Sequence, residues 1–143
     1  MIEICKLGMA DYDAICEVWK ASGVKYQTTG RESYESFARQ METGLQTVLG
    51  AMINGKLAGV MVATYDGRKG WVNRLGVTPE FQRQGVGGAL IRAAEEMFHA
   101  QGLTIVAALV EPNNAASLGL FEREGFHVHH DLYYLTKRDH PNA

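Results

Sequence analysis

Val77-Thr78-Pro79-Glu80-Phe81-Gln82-Arg83-Gln84-Gly85-Val86-Gly87-Gly88-Ala89-Leu90 runs out of an apolar strand, through a glycine-rich turn, and into a helix. The first backbone N–H groups of a helix have no partner within it, and the positive end of the helix dipole lies behind them, so such a turn suits an anion. Gly85 and Gly87 carry no side chain to hold a phosphate away from the backbone, while Gln82, Arg83 and Gln84 add polar or cationic contacts. A diphosphate fits that chemistry. A dinucleotide of the Rossmann kind does not, because Leu90 stands where the third glycine of GxGxxG belongs.

Upstream, Leu45 to Ile53 and Leu57 to Tyr65 are apolar, β-branched runs separated by Asn54-Gly55, the dipeptide best suited to a type I′ hairpin turn. Asp66-Gly67 and Gly70 turn the chain again before a third strand of this meander, Trp71 to Val77. The run from Gly50 to Leu57 superficially matches the front of a nucleotide P-loop, but Leu57 replaces the residue that would bind magnesium, and the hairpin explains Asn54-Gly55 better. Nearer the N-terminus, Ile2 to Leu7 alternates as a strand. Tyr12, Ile15 and Trp19, then Tyr34, Phe37, Ala38 and Met41, fall at helical spacing.

Downstream, Gly85 to Gln101 reads as a helix with Val86, Leu90, Ala93, Ala94 and Met97 on one face and Gly102 as its stop. Thr104 to Val110 reads as a buried strand, Asn114 to Glu124 as a short helix closed by Gly125, and Phe126 to Lys137 as two further strands. The expected domain is α/β (α+β), a single mixed, mostly antiparallel sheet of about seven strands with about four helices. The chain length suits one domain over residues 1–143.

Two segments together resemble the GNAT superfamily of acetyl-coenzyme A dependent N-acetyltransferases. Gln82-Arg83-Gln84-Gly85-Val86-Gly87 resembles the family's Q/R-x-x-G-x-G/A pyrophosphate loop, with Leu75-Gly76-Val77 ending the strand before it. Asn114, Ser117, Phe121, Gly125 and Phe126 resemble its N-x-x-A/S-x-x-L-Y/F-x-x-x-G-F segment. The resemblance implies a sheet splayed between its fourth and fifth strands, with acetyl-CoA as co-substrate and its pantetheine arm in the opening. It further implies that backbone groups of Leu75 and Val77 bind pantetheine or polarise the thioester carbonyl. The turn from Gln82 to Gly88 would hold the pyrophosphate, and Asn114, also a natural helix N-cap, would orient the pantetheine arm with Ser117 and Phe121 nearby.

The same resemblance implies direct attack by a neutral amine, through an oxyanion held by backbone N–H groups and without an acyl-enzyme. Cys5 and Cys16 are therefore expected as packing residues and not as nucleophiles. Phe121 departs from the family, where many members carry a tyrosine that protonates the leaving sulfur. A thiol pKa of about 8.5 makes release as thiolate cost only roughly 2 kcal/mol near neutral pH. Leu109 stands where a frequently used glutamate would be; Glu111, at the end of the fifth strand where the splay should face the acceptor, is the base candidate, and Tyr133 or Tyr134 on a late strand are candidate hydroxyl donors in place of Phe121. His127, His129 and His130 form the histidine cluster, without an evident third or fourth metal ligand, so no metal is expected.

The 14 basic and 16 acidic residues give a net charge of −2, which argues against nucleic-acid binding through bulk positive charge. A 46% hydrophobic and 21% charged composition is that of an ordinary folded domain. Two cysteines without a CxxC pair, no signal-like N-terminus and no long apolar run lead us to expect a cytoplasmic protein off the membrane. The acceptor is left open between a protein N-terminus, a lysine and a small amine. A homodimer and a catalytically weak acetyl-CoA sensor are left open too.

Overall fold

Asn54 and Gly55 both take positive φ, 50° and 78°, as a two-residue I′ turn demands. The turn joins β2 (Gln46–Ile53) to β3 (Lys56–Tyr65), which pair antiparallel from Ile53 opposite Lys56. The computed structural model describes residues 1–26, 28–141 and 143. This hairpin sits within a five-stranded sheet whose spatial order follows the chain. β1 (Ile2–Leu7) flanks β2, and β4 (Gly70–Val77) flanks β3, both antiparallel. β5 (Val106–Ala108) runs parallel to β4, and the crossover that a parallel pair requires contains α3 (Val86–Ala100).

Successive side chains of a strand point to opposite faces, so the apolar runs of β2 and β3 supply two cores. On one face Val48, Val60 and Val62 pack with Ile15, Val18 and Trp19 of α1 (Tyr12–Ser22) and Phe37 of α2 (Tyr34–Glu42). On the other, Leu49, Met61, Ala63 and Val72 pack with Leu90, Ile91, Ala94 and Phe98 of α3 and Phe121 of α4 (Ala115–Arg123). Gly70 makes the close approach on this side: a Cβ there would come within 2.4 Å of the Phe98 ring.

The turn between β3 and β4 is held by one carboxylate. Asp66 Oδ1 accepts from the backbone N–H groups of Arg68 and Lys69, both at 2.9 Å, and Oδ2 from the Trp71 indole at 3.0 Å. The backbone N–H of Lys69, then the Trp71 indole, pull its pKa down to about 2. A depressed carboxylate stabilises the fold above its unfolded pKa of about 3.9, and that contribution fades as pH falls toward about 2. Asp66→Asn should therefore unfold more easily than the parent chain at pH 6, with the difference shrinking through that window and gone at its acid end. Thermal midpoints of the two proteins against pH check this, and a difference independent of pH would contradict it.

The sheet departs from expectation at its C-terminal side. Thr104 to Val110 is expected as a strand, yet only Val106–Ala108 forms one, and among the described residues none of Phe126 to Lys137 is in a strand. Among the described residues the sheet has five strands, not about seven, and the α-helices number four. Alternation is a property of a segment, whereas a strand exists only where a neighbouring backbone completes its ladder. Leu132, Tyr133, Tyr134 and Leu135 lie exposed, off any ladder.

Candidate functional site

The β4–β5 ladder joins only Gly70, Trp71 and Val72 to Val106, Ala107 and Ala108. Just past it, β4 bulges. Asn73 pairs with Val62 and Gly76 with Val60, so Arg74 and Leu75 together face Met61, two residues opposite one. Arg74 takes φ 51°. Three contacts from the helical face hold this conformation. The Trp19 indole donates to the Arg74 carbonyl at 2.9 Å. The Arg74 guanidinium reaches the Glu32 carboxylate at 3.3 Å through both Nε and Nη2. The Tyr12 hydroxyl donates to the Glu32 carbonyl, anchoring the segment that carries this acid. Gly76 completes the fit, since a Cβ there would meet Ser22 Oγ at 2.4 Å.

β4 ends in the glycine-rich turn. Gln82 Nε2 donates to the Val77 carbonyl at 3.1 Å and Gln84 Nε2 to the Glu80 carbonyl at 3.3 Å. Both amides fasten the turn to itself. Arg83 and Gly85 take left-handed φ values of 64° and 84°, and Gln82 to Gly85 are exposed. Gly85 is the N-cap of α3 and contributes no side-chain cap, and the first turn of that helix carries no acidic residue. The helix start is therefore open to an anion.

Gly87 and Gly88 have a different reason to be glycine than the one expected for Gly87. Both are buried under α4. A Cβ on Gly87 would meet Leu120 Cδ2 at 2.7 Å, and one on Gly88 would meet Glu124 Oε2 at 2.8 Å and Arg92 Nη1 at 3.0 Å. A side chain at either position would have to displace the ends of Leu120, Glu124 or Arg92 that pack there. Val86 is buried too, filling the space that Gly59 leaves, where a Cβ would come 2.8 Å from Val86 Cγ1.

α4 lies beside this turn. Asn114 caps it, its Oδ1 accepting from the Ser117 backbone N–H at 3.1 Å. Ser117 is half-buried, and Phe121 is buried edge-on against Phe126 with ring centroids 5.0 Å apart. Glu111 is exposed in the connection from β5 to α4, its carbonyl accepting from Asn114 N–H at 3.0 Å. Leu109 is also exposed. Tyr133, expected on a late strand, is 92% exposed. Tyr134, exposed as well, borders a surface cleft beside Arg31 and Lys137. Burial pushes the Cys5 and Cys16 thiols up, so neither is held as the thiolate a nucleophile needs. His127 and His129 stack edge-to-face at 4.7 Å.

Residues 12–126 match the family model described as the acetyltransferase (GNAT) family. The chain belongs to the GNAT acetyltransferase family. The GNAT fold is also that of solved structures at low identity. PaiA N-acetyltransferase from Thermoplasma acidophilum, in complex with coenzyme A, has a TM-score of 0.79 and 23% identity over 90% of this chain and 91% of that one. The structure of AAC(6')-Iy with the bisubstrate analogue CoA-S-monomethyl-acetylneamine has a TM-score of 0.80 and 16% identity, covering 96% of this chain and 99% of that one. The ribosomal-protein-S18-alanine N-acetyltransferase from Escherichia coli has a TM-score of 0.74 and 23% identity, covering 87% and 77%. The GNAT match ends at Phe126 and so contains the bulge, the turn and α4.

Sequence reading missed Arg74 and Glu32. They lie 42 residues apart, and no spacing rule joins them. The available signal was an arginine, next to Asn73, inside a strand whose other residues are apolar, a position that calls for a partner.

Proposed function

We propose that this chain is an N-acetyltransferase that moves an acetyl group from acetyl-CoA to a primary amine, with both substrates bound together. The carrying observation is the run from Leu75 to Gly85, in which a bulged strand leaving its β5 neighbour leads through the exposed turn Gln82 to Gly85 into a helix whose own first turn carries no acidic residue. Solved relatives in complex with coenzyme A support the same reading.

The residues present fit that co-substrate, which supplies an acetyl group already activated as a thioester. Arg83, Gln84 and Gly85, with Gln82 fastening the turn, would hold the diphosphate through exposed backbone and one guanidinium. Val86, Gly87 and Gly88 let α3 begin close against α4. Backbone groups of Leu75 and Val77 would line the thioester arm, with the Val77 carbonyl shared with Gln82. Asn114 and Ser117 would border it from the start of α4, and Phe121 supplies apolar support without a proton. Glu111, exposed after β5, would take the acceptor's proton directly or through water. Tyr133 and Tyr134 would serve as hydroxyl donors only from the exposed C-terminal segment.

Phe121, buried against the half-buried Phe126, favours one second reading, a sensor that binds acetyl-CoA and turns it over poorly, because no hydroxyl stands at that position. Calorimetric titration with coenzyme A and thiol release from acetyl-CoA across a panel of amines separate the two. Binding with acceptor-dependent release is the expected result. Binding without release selects the sensor, and no binding overturns both.

A further inference from the structure

Arg74 and Arg31 share one carboxylate, and the carboxylate is the buried member. Glu32 lies 3.3 Å from Arg74 Nη2 and 4.0 Å from Arg31 Nε. The Glu32 side chain is 8% exposed, against 29% for Arg74 and 48% for Arg31. An incoming molecule therefore meets guanidinium and not carboxylate, at a place with two positive charges to one negative. The surplus is local, since the whole chain carries a net charge of −2.

A cleft of about 510 Å³ opens beside Arg31, between α2 and the C-terminal segment. Arg31, Ser36, Arg39, Gln40 and His140 line it, and no Asp or Glu is among its lining residues. Ala143 lines it too, and its terminal carboxylate is already engaged by the Arg138 guanidinium. A second cleft of about 300 Å³ shares Arg31 and adds Lys137 and Arg138 against Asp139. The walls are braced: Gln40 Nε2 donates to the Arg31 carbonyl at 2.8 Å, and Arg39 Nη2 to Ser36 Oγ at 3.1 Å. The bracing ties the segment carrying Arg31 to α2. Arg74, at the other end of the shared ion pair, immediately precedes Leu75 in the β4 bulge. The cleft is thus one ion pair away from the strand assigned to the thioester.

We propose that these joined clefts bind a carboxylate or phosphate group carried by the acceptor, so that the favoured substrate is an anionic amine and not a polycation. Guanidinium groups with adjoining hydroxyl and amide donors are the usual recognition set for such oxyanions. The inference rests on the acetyl-transfer reading above, and the test keeps their failures apart.

Initial rates of coenzyme A release are measured with ethanolamine, O-phosphoethanolamine, β-alanine and spermidine as acceptors. At least one of the two anionic amines should exceed ethanolamine in kcat/KM by about tenfold, mainly through KM, as a charge-assisted contact provides. Which of the two leads separates phosphate from carboxylate recognition. Arg31→Gln and, separately, Arg39→Gln should shrink that preference to about twofold or less, and thermal midpoints report whether each variant is folded. Equal use of ethanolamine, or preference for spermidine, overturns the proposal. If no amine releases coenzyme A, the acetyl-transfer reading fails, and calorimetry with O-phosphoethanolamine and β-alanine alone then decides. Binding lost in Arg31→Gln upholds the anion site, and no binding of either overturns it.

Discussion

Gly85→Asp should weaken coenzyme A binding about a hundredfold, and calorimetric titration will read it directly. The position is exposed, caps α3, and has nothing within 4 Å of where a Cβ would stand. The new side chain therefore causes no clash. Its backbone has φ 84°, which costs an L-residue on the order of 1 kcal/mol. An aspartate at an N-cap offsets much of this by accepting from the open N–H groups of the first turn. The variant should stay folded with its thermal midpoint near that of the parent chain. What it changes is the charge at the helix start. Two unit charges about 4 Å apart near a protein surface repel by up to about 4 kcal/mol, and roughly 3 kcal/mol of that surviving gives the stated loss. Gly85→Asn is the matched control, because it has the same shape, tolerates left-handed φ and is neutral. It should lose no more than about fivefold. An unchanged affinity in Gly85→Asp would remove the diphosphate from this turn.

Trp19→Ala should lower unfolding stability by about 4 kcal/mol, read from urea denaturation with an unchanged slope. Trp19 has no exposed surface and sits between Phe37, at 6.0 Å between ring centroids, and Tyr26, at 5.4 Å. Truncation removes that burial and leaves a cavity between α1 and the sheet. It also strips the Arg74 carbonyl of its indole donor at the bulge, a loss worth about 1 kcal/mol or more where the group stays dry. Trp19→Phe keeps most of the apolar contact and loses the hydrogen bond, so it should cost about 2 kcal/mol. Against a typical total of about 5–15 kcal/mol, the alanine change removes a large share. A loss below about 1 kcal/mol would show that neither the packing nor the bulge depends on this ring.

Local signals were legible where a few neighbouring residues decide the outcome. Asn54-Gly55 specified its hairpin because few other pairs accept positive φ at both turn positions. Asn114 specified a helix start because its side chain satisfies an N–H three residues on. The glycine-rich turn was visible for the same reason, and with the α4 segment it pointed to the GNAT family. Phe126 to Lys137 shows where such reading stops, since its alternation says which residues could share a face and nothing about whether a partner edge is there.

The amino-acid sequence by itself therefore determined the hairpin, the Asn114 cap, the order of strands and helices through α4, and the glycine-rich turn. All of these depend on contacts within a few residues of chain. Only the tertiary structure decided that Arg74 bulges and pairs with Glu32, that Gly87 and Gly88 make room for Leu120 and Glu124, and that the sheet stops at Val106–Ala108. Each of these requires two segments far apart in sequence to meet, and the energy of that meeting resides in burial, charge pairing and ladder bonds that neither segment carries alone.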